Sequence, residues 1–107
     1  MKYQTTPAFD GDIRRLSDGE RRNFGRVIKE KFVPAADAVA TDPGSAKWPK
    51  QLRVKSVKGA AGIWEMTWSF SSPDGRVTFE WIAIDGQPAI RWHRVGGHEI
   101  FKDPAGR

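Results

Sequence analysis

Three runs of the chain between residues 64 and 95 alternate apolar and polar side chains. The apolar positions of the first two runs are Trp64, Met66, Trp68, Phe70, Val77, Phe79, Trp81 and Ala83. Successive side chains of a strand point to opposite faces, so this period of two is typical of strands. Turn-forming Asp, Gly and Pro residues at 71–75 and 85–88 separate the runs. The pattern therefore predicts an antiparallel meander with one aromatic face and one polar face.

The opposite positions of these strands form what we call the polar face. Together with a further strand predicted over residues 52–57, it carries Arg53, Lys55, Glu65, Thr67, Arg76, Thr78, Glu80, Arg91 and His93. We expect this face to be uncovered, with Arg94 and His98 near its rim. The aromatic face must be covered by other parts of the chain. Function is therefore expected on the polar face, which stays accessible.

Two helices are predicted ahead of the meander. Apolar residues at 9, 13 and 16 recur at helical spacing, after a short strand over residues 3–6. A second helix begins with a capping box, Ser17 to Glu20, and carries an apolar stripe at Phe24, Val27, Ile28 and Phe32. Pro34 is expected to end or bend this helix, with residues 35–40 adding a turn or two. Residues 41–46 read as a loop.

Helices that precede a run of antiparallel strands indicate an α+β fold. We expect the two N-terminal helices to pack on one face of a small, mostly antiparallel sheet of four to five strands. Trp64, Trp68, Phe79 and Trp81 are expected beneath the helix that bears Phe24, so the tryptophans are interpreted as core. The 107 residues suffice for a single domain, 1–107, with a loose tail at 102–107.

Composition narrows the functional classes. A net charge of +5 favours a polyanionic partner, either nucleic acid or an acidic protein. The chain has no cysteine, which excludes disulfides and thiolate metal sites, and its two histidines do not make a metal site. We expect no metal and no cofactor. No apolar run approaches the roughly 20 residues that span a bilayer, so we expect no membrane partner and a cytoplasmic location.

The polar face offers the groups that cleavage of RNA by its own 2′-hydroxyl requires. The reaction needs a base for that hydroxyl, cations for the charge that builds on the phosphate, and an acid for the leaving oxygen. Arg76, Arg94, His98 and Glu65 are of the right types. A solvated sheet face of mixed charge has the same pattern, so this reading and a purely structural one both stand.

The chain resembles the RelE/ParE superfamily of toxins from bacterial toxin–antitoxin pairs, including its HigB-like branch. The matching segments are Thr6-Pro-Ala-Phe9, Leu52-Arg-Val-Lys55, Gly62-Ile-Trp-Glu-Met66, Gly75-Arg-Val-Thr-Phe79 and His98-Glu-Ile-Phe101. The resemblance implies a RelE-like domain that cuts mRNA on the ribosome, or in the ParE branch poisons DNA gyrase without cutting RNA. It also implies a cognate antitoxin as partner.

The resemblance assigns roles position by position. Arg76 matches the arginine that contacts the scissile phosphate. Glu65 and Thr67 stand where RNA-cutting relatives often have basic residues, and Phe101 stands where many have a tyrosine whose hydroxyl takes part. His98 is then the remaining acid or base. We expect Arg76, His98 and Arg94 to be catalytic, and expect RNA to be bound by Arg53, Lys55, Lys58, Arg91 and His93.

Three functions remain open on the sequence. The first is a ribosome-dependent mRNA endonuclease that inhibits translation, with mRNA, the ribosome and an antitoxin as partners. The second is a non-catalytic toxin that binds gyrase or another protein. The third is an inactive relative that binds RNA or protein. The basic polar face favours the first, and the phenylalanine at 101 favours the other two.

Overall fold

A five-stranded sheet carries the α-helices on one side. The structure, a computed structural model, describes residues 1–69 and 74–106. The strands are β1 (Tyr3–Thr5), β2 (Lys55–Ser56), β3 (Trp64–Ser69), β4 (Gly75–Ile84) and β5 (Gln87–Gly96), in the spatial order β1-β5-β4-β3-β2. β1 runs parallel to β5, and the other neighbours are antiparallel. The predicted α+β fold, with N-terminal helices on a mostly antiparallel sheet, is confirmed.

Both predicted helix starts are formed by side-chain caps. Helix α1 (Pro7–Arg15) begins at Thr6, whose Oγ1 accepts from the N–H of Phe9 at 3.1 Å, and Pro7 occupies a first-turn position where no N–H is needed. Helix α2 (Asp18–Val27) begins with the predicted capping box. The N–H of Glu20 donates to Ser17 Oγ at 3.1 Å, and Glu20 Oε1 accepts from the N–H of Ser17 at 2.8 Å.

The chain stays helical past Pro34. A π-helical turn (Ile28–Phe32) follows α2 and leads directly into α3 (Val33–Thr41). The N–H of Val33 bonds to the carbonyl of Ile28, one residue further back than in an α-helix. The proline then falls in the first turn of α3, where its missing N–H costs little. Residues 35–40 do add helix, but Pro34 does not end it.

The helices cover the aromatic face of the sheet with stacked and edge-on rings. Phe24 of α2 lies edge-on to Trp68 at 5.5 Å, and Phe32 lies edge-on to Phe79 at 5.1 Å and tilted on Trp92 at 4.9 Å. Trp68, Phe79 and Trp92 are buried, while Trp48, Trp64 and Trp81 are half-buried against the same cluster. The interpretation of the tryptophans as core is confirmed.

The strand predicted over residues 52–57 is much shorter than expected. Residues Lys50–Leu52 form a 3₁₀ turn that buries Leu52, and only Lys55–Ser56 pair with β3. Arg53 between them has a φ of 51°, in the left-handed region. That conformation breaks the alternation of side chains, so Arg53 does not share a regular strand face with Lys55.

The polar face is covered, contrary to expectation. Residues 98–106, here called the C-terminal strap, lie across part of it, and Thr78 and His93 are buried beneath the strap. The tail expected to be loose is therefore held down as far as residue 106. The sheet binds the strap through backbone carbonyls of the strap, which a pattern of side chains does not reveal.

Some predictions fall on residues outside the described ranges. They concern Phe70 on the aromatic face, the first part of the turn at 71–75 and the last tail residue, Arg107. Over the ranges 1–69 and 74–106, no helix is long and apolar enough to cross a bilayer.

Candidate functional site

Arg76 is fixed at the start of β4 by its neighbours on β3. Gly75 lets the indole of Trp68 lie against the backbone, since a Cβ there would come within 2.5 Å of the ring. Trp68 Nε1 donates to the carbonyl of Arg76 at 2.8 Å. The guanidinium donates from Nη1 to Thr67 Oγ1 at 2.8 Å and to Asp74 Oδ2 at 3.2 Å. Within residues 1–69 and 74–106, its Nε and Nη2 bond to no acceptor, and the side chain is 11% exposed.

His98 lies at the same end of the sheet as Arg76. It opens the 3₁₀ helix His98–Lys102, two residues after Gly96, which is the Cα partner of Arg76. Its side chain is exposed and its ring lies edge-on to Phe101 at 5.8 Å. In the part of the chain that the structure describes, the imidazole makes no hydrogen bond. A free imidazole at the same end of the sheet as a fixed guanidinium supplies the two kinds of group, a proton acceptor and a cation, that proton transfer next to an anion uses.

The glycine pair between β5 and the strap makes this turn possible. A Cβ at Gly96 would lie 2.8 Å from Glu99 Oε1, and the N–H of Gly97 donates to the same oxygen at 3.0 Å. The hydrogen bond from Gly97 holds the pKa of Glu99 below its ordinary value. The carboxylate therefore stays ionised and caps the turn that carries His98.

A β-bulge turns the end of β5. Thr78 pairs with Arg94 and Phe79 with Trp92, which leaves His93 as the extra residue. A bulge adds twist and redirects the side chains beside it. Strict alternation, on which the sequence prediction rested, therefore fails at His93 and Arg94.

Arg94, expected to be catalytic, is occupied by protein groups. Its Nε and Nη2 donate to the carboxylate of Asp12 at 2.7 and 3.1 Å, and its Nη1 donates to the carbonyl of Asp103 at 3.1 Å. The hydrogen bonds to Asp12 raise the pKa of Arg94 above its ordinary value. These contacts are those of an anchor, and a direct role in catalysis stays a prediction.

Arg91 and His93, expected to bind RNA, both contact Glu80. Arg91 Nη1 and His93 Nε2 each lie 2.9 Å from Glu80 Oε1, and His93 Nδ1 donates to the carbonyl of Ala105 at 2.9 Å. Partial burial opposes ionisation of Glu80, but the hydrogen bonds from His93 and Arg91 outweigh it, so the pKa of Glu80 lies below its ordinary value. His93 is only 7% exposed. With the strap in place, its side chain is closed to RNA.

The remaining predicted RNA ligands lie on the surface near β2 and β3. Arg53 lies 3.8 Å from Asp74, and Lys55 lies 3.9 Å from Glu65. Lys58 is exposed in the turn after β2 and lines a shallow pocket with Phe101. The basic members of these pairs are 65% and 70% exposed, and ion pairs at such distances are weak. RNA binding by these three residues stays a prediction.

Asp12 is a buried charged residue beside the candidate site that sequence reasoning missed. It is 5% exposed, and its carboxylate accepts from Arg15, from Arg94 and from the N–H of Val95. Its position three residues after Phe9 places it on the buried face of α1. An acidic residue on the apolar face of a helix was the available signal. In the described residues no group of three or more His, Asp or Glu side chains is arranged to hold a metal ion.

Comparisons by sequence and by structure give different results. By sequence, the chain matches no protein-family model and no curated protein. By structure, it is similar to a mutant of the E. coli toxin RelE in the free state, with a TM-score of 0.57, 13% identity and coverage of 96% of this chain and 92% of that one.

Two further solved structures are similar over nearly their whole length. One is in the intact E. coli RelBE toxin–antitoxin complex, with a TM-score of 0.52, 14% identity and coverage of 90% and 94%. The other is the YoeB/ParE toxin from Agrobacterium tumefaciens, with a TM-score of 0.54, 15% identity and coverage of 92% and 99%. At such identities the likeness concerns the fold. The predicted RelE-like fold is thereby confirmed, and the chain has the fold of the RelE and YoeB/ParE toxins.

Proposed function

We propose that this chain is the toxin of a toxin–antitoxin pair and acts in the cytoplasm as a ribosome-dependent mRNA endonuclease. One observation carries the proposal. Arg76, whose Nε and Nη2 bond to no described residue, and His98, whose imidazole bonds to none, both lie at one end of a RelE-like sheet. A phosphate bound at this end of the sheet then has a cation and a proton acceptor within the same region.

The chemistry needs only these two side chains and the RNA itself. His98 accepts the proton of the 2′-hydroxyl, the 2′-oxygen forms a bond to phosphorus, and the bond to the 5′-oxygen breaks. The leaving 5′-oxygen takes a proton from water, which gives a 2′,3′-cyclic phosphate and a 5′-hydroxyl. Arg76 binds the phosphate oxygens on which charge builds, because its fork is already held by Thr67 and Asp74. Arg53, Lys55 and Lys58 bind the flanking backbone.

Induced expression in a bacterial host tests the proposal, with primer extension on a reporter mRNA as the readout. The expected result is growth arrest with cuts in phase with the codons, and with no cuts in an uninduced control or in naked mRNA. An induced culture that keeps its mRNA intact would remove endonuclease activity from the account.

A second candidate is a non-catalytic toxin that binds gyrase or another protein. Phe101, in contact with His98, has no hydroxyl to transfer a proton, and Asp74, Glu65 and Glu80 neutralise cations of the polar face. In the same experiment this candidate gives growth arrest with intact mRNA. An inactive relative gives no growth effect.

An antitoxin segment is proposed to lie on the helix side, because the strap already occupies the polar face. A groove of about 480 Å³ there is lined mainly by apolar side chains of β1, α1 and α2, with Lys2 and Lys29 at its rim. Tyr3 within it is 66% exposed. An acidic amphipathic segment matches this groove and the net charge of +5.

Tyr3→Glu tests this placement, with Lys58→Glu as a control that changes the net charge in the same direction, and by twice as much, on another surface. Tyr3→Glu is expected to weaken antitoxin binding at least tenfold, and Lys58→Glu to leave it nearly unchanged. Binding should also weaken with salt, since exposed charges are screened over about 8–10 Å at physiological ionic strength. The reverse order of the two variants would place the antitoxin elsewhere.

A further inference from the structure

Three side chains of the sheet donate to three consecutive carbonyls of the C-terminal strap. They are Arg94 to Asp103 at 3.1 Å, Thr78 to Pro104 at 2.7 Å and His93 Nδ1 to Ala105 at 2.9 Å. Nδ1 must be the donor, because a carbonyl oxygen only accepts. The row runs across β4 and β5, so the strap is fastened to both central strands.

The strap completely buries little apolar surface among its described residues. Its own backbone bonds are short-range, from the N–H groups of Ile100, Asp103 and Gly106 to carbonyls three residues earlier. Ile100 is the single fully buried side chain among its described residues. A segment with so little apolar burial depends on its hydrogen bonds to the sheet.

Two of the three anchors are out of reach of a substrate, and the third is engaged by a buried carboxylate. Thr78 is 0% exposed and His93 is 7% exposed, both beneath the strap. Arg94 is tied at its far end to the buried carboxylate of Asp12. Whatever these residues contribute to a reaction, they contribute through the strap, whose first residue is His98.

We propose that Thr78, His93 and Arg94 are positioning residues. By holding residues 103–105 they fix the 3₁₀ helix His98–Lys102 and thereby place His98 beside Arg76. This role rests on the proposed function, because it supposes that His98 takes part in cleavage. Whether the three residues keep the strap on the sheet can be measured independently of cleavage.

Thr78→Val tests the hold, because it removes the hydroxyl and keeps the size of the side chain. Amide exchange is followed by NMR at Ile100, Asp103 and Gly106, whose N–H groups are bonded within the strap and its flank. Exchange should accelerate about tenfold, the effect of losing one net hydrogen bond. Thr78→Ser keeps the donor and should keep the protection. If Thr78→Val fails to fold, Thr78→Ala removes the hydroxyl in its place.

A matched control is available on α3. Thr41 Oγ1 donates to the carbonyl of Asp37 at 2.9 Å, so Thr41→Val removes the same kind of bond far from the strap in sequence. It should leave exchange at Ile100 and Asp103 unchanged. Equal exchange in Thr78→Val and Thr41→Val would show that Thr78 does not hold the strap, and the proposal would fail.

Cleavage kinetics on programmed ribosomes test the positioning. Thr78→Val should lower kcat roughly 10- to 100-fold, as a small misplacement of a reacting group does, with KM little changed and Thr78→Ser near wild type. Faster exchange with unchanged kcat would overturn the positioning role. If the wild type cuts no RNA, the proposed function fails and the positioning role fails with it, while amide exchange still decides whether Thr78 holds the strap.

Discussion

The two faces of the sheet are covered in different ways. On the helix side, Phe24 and Phe32 pack against Trp68, Phe79 and other rings of one cluster. On the polar face, the strap is held by hydrogen bonds from side chains to backbone carbonyls. Apolar packing stabilises the fold, whereas a cover fastened by a few hydrogen bonds can carry a functional group and respond to small changes.

The largest effect is expected on the helix side. Phe79→Ala removes a ring with 0% exposure and leaves a cavity, which should lower the free energy of unfolding by about 3–5 kcal/mol. Phe101→Ala, a half-buried ring of the strap, is the comparison and should cost far less. Chemical denaturation measures both. Equal losses of unfolding free energy in the two variants would contradict the claim that packing on the helix side, and not the strap, supplies most of the stability.

The buried carboxylate that ties α1 to β5 should have the next largest effect. Asp12→Ala leaves Arg94 without its partner, and removing one member of a buried ion pair costs about 3 kcal/mol or more. Arg15→Ala is the matched control. Arg15 bonds the same carboxylate, but its side chain is 75% exposed, so less than about 1 kcal/mol should be lost. The ranking fails if the two variants unfold at the same denaturant concentration.

The same contrast explains what the sequence predicts and what it misses. Trp68 and Phe79 follow a period of two that meets a helical stripe, so the helix side follows from side-chain patterning. The cover of the polar face does not follow from this patterning, because the groups that accept hydrogen bonds from the sheet are the backbone carbonyls of Pro104 and Ala105. Alternation also fails where the backbone departs from regular strand, at the left-handed Arg53 and at the bulge beside Arg94.

The candidate site follows from the sequence only in part. Arg76 lies directly after the hairpin turn, and its position is predictable from the alternation of β4. His98 lies at the same end of the sheet because two glycines turn the chain, which their permissive backbone suggests. The engagement of Arg94 by Asp12 depends on the packing of α1 against β5, which no local pattern reveals.

A smaller effect is expected on the polar face, where Glu80 makes the stability of the fold depend on pH. The pKa of Glu80 is below its ordinary value in the folded protein, so its contribution is present above the pKa of the unfolded chain and is lost as the pH falls through the folded pKa. Glu80→Gln should therefore flatten the acid limb of stability against pH.

The control for this experiment is Glu30→Gln, which changes an exposed carboxylate of the π-helical turn. Thermal melts between neutral pH and about pH 3 span the ordinary pKa of a glutamate. If Glu80→Gln loses as much stability on acidification as Glu30→Gln does, the network of Glu80 with His93 and Arg91 does not stabilise the fold.

The smallest effect is expected at the surface pair beside β2. Lys55→Ala removes a 3.9 Å contact of a side chain that is 70% exposed, so stability should change by less than about 0.5 kcal/mol. RNA binding by the ribosome-bound protein should nevertheless weaken, and more so at low salt, because Lys55 faces the proposed backbone path. An unchanged salt dependence would take Lys55 out of the RNA contact.

The most direct test measures mRNA cleavage and thermal stability together for His98→Ala, Arg76→Ala and Arg76→Lys. His98 is exposed and bonds to no described residue, so its replacement should leave the melting temperature unchanged while the cleavage rate falls roughly 10²–10⁴-fold. Arg76→Ala should lower the cleavage rate roughly 10²–10³-fold. Arg76→Lys should recover only part of the lost rate, because an ammonium group lacks the forked pair of donors of a guanidinium. Wild-type cleavage by well-folded His98→Ala protein would contradict the account.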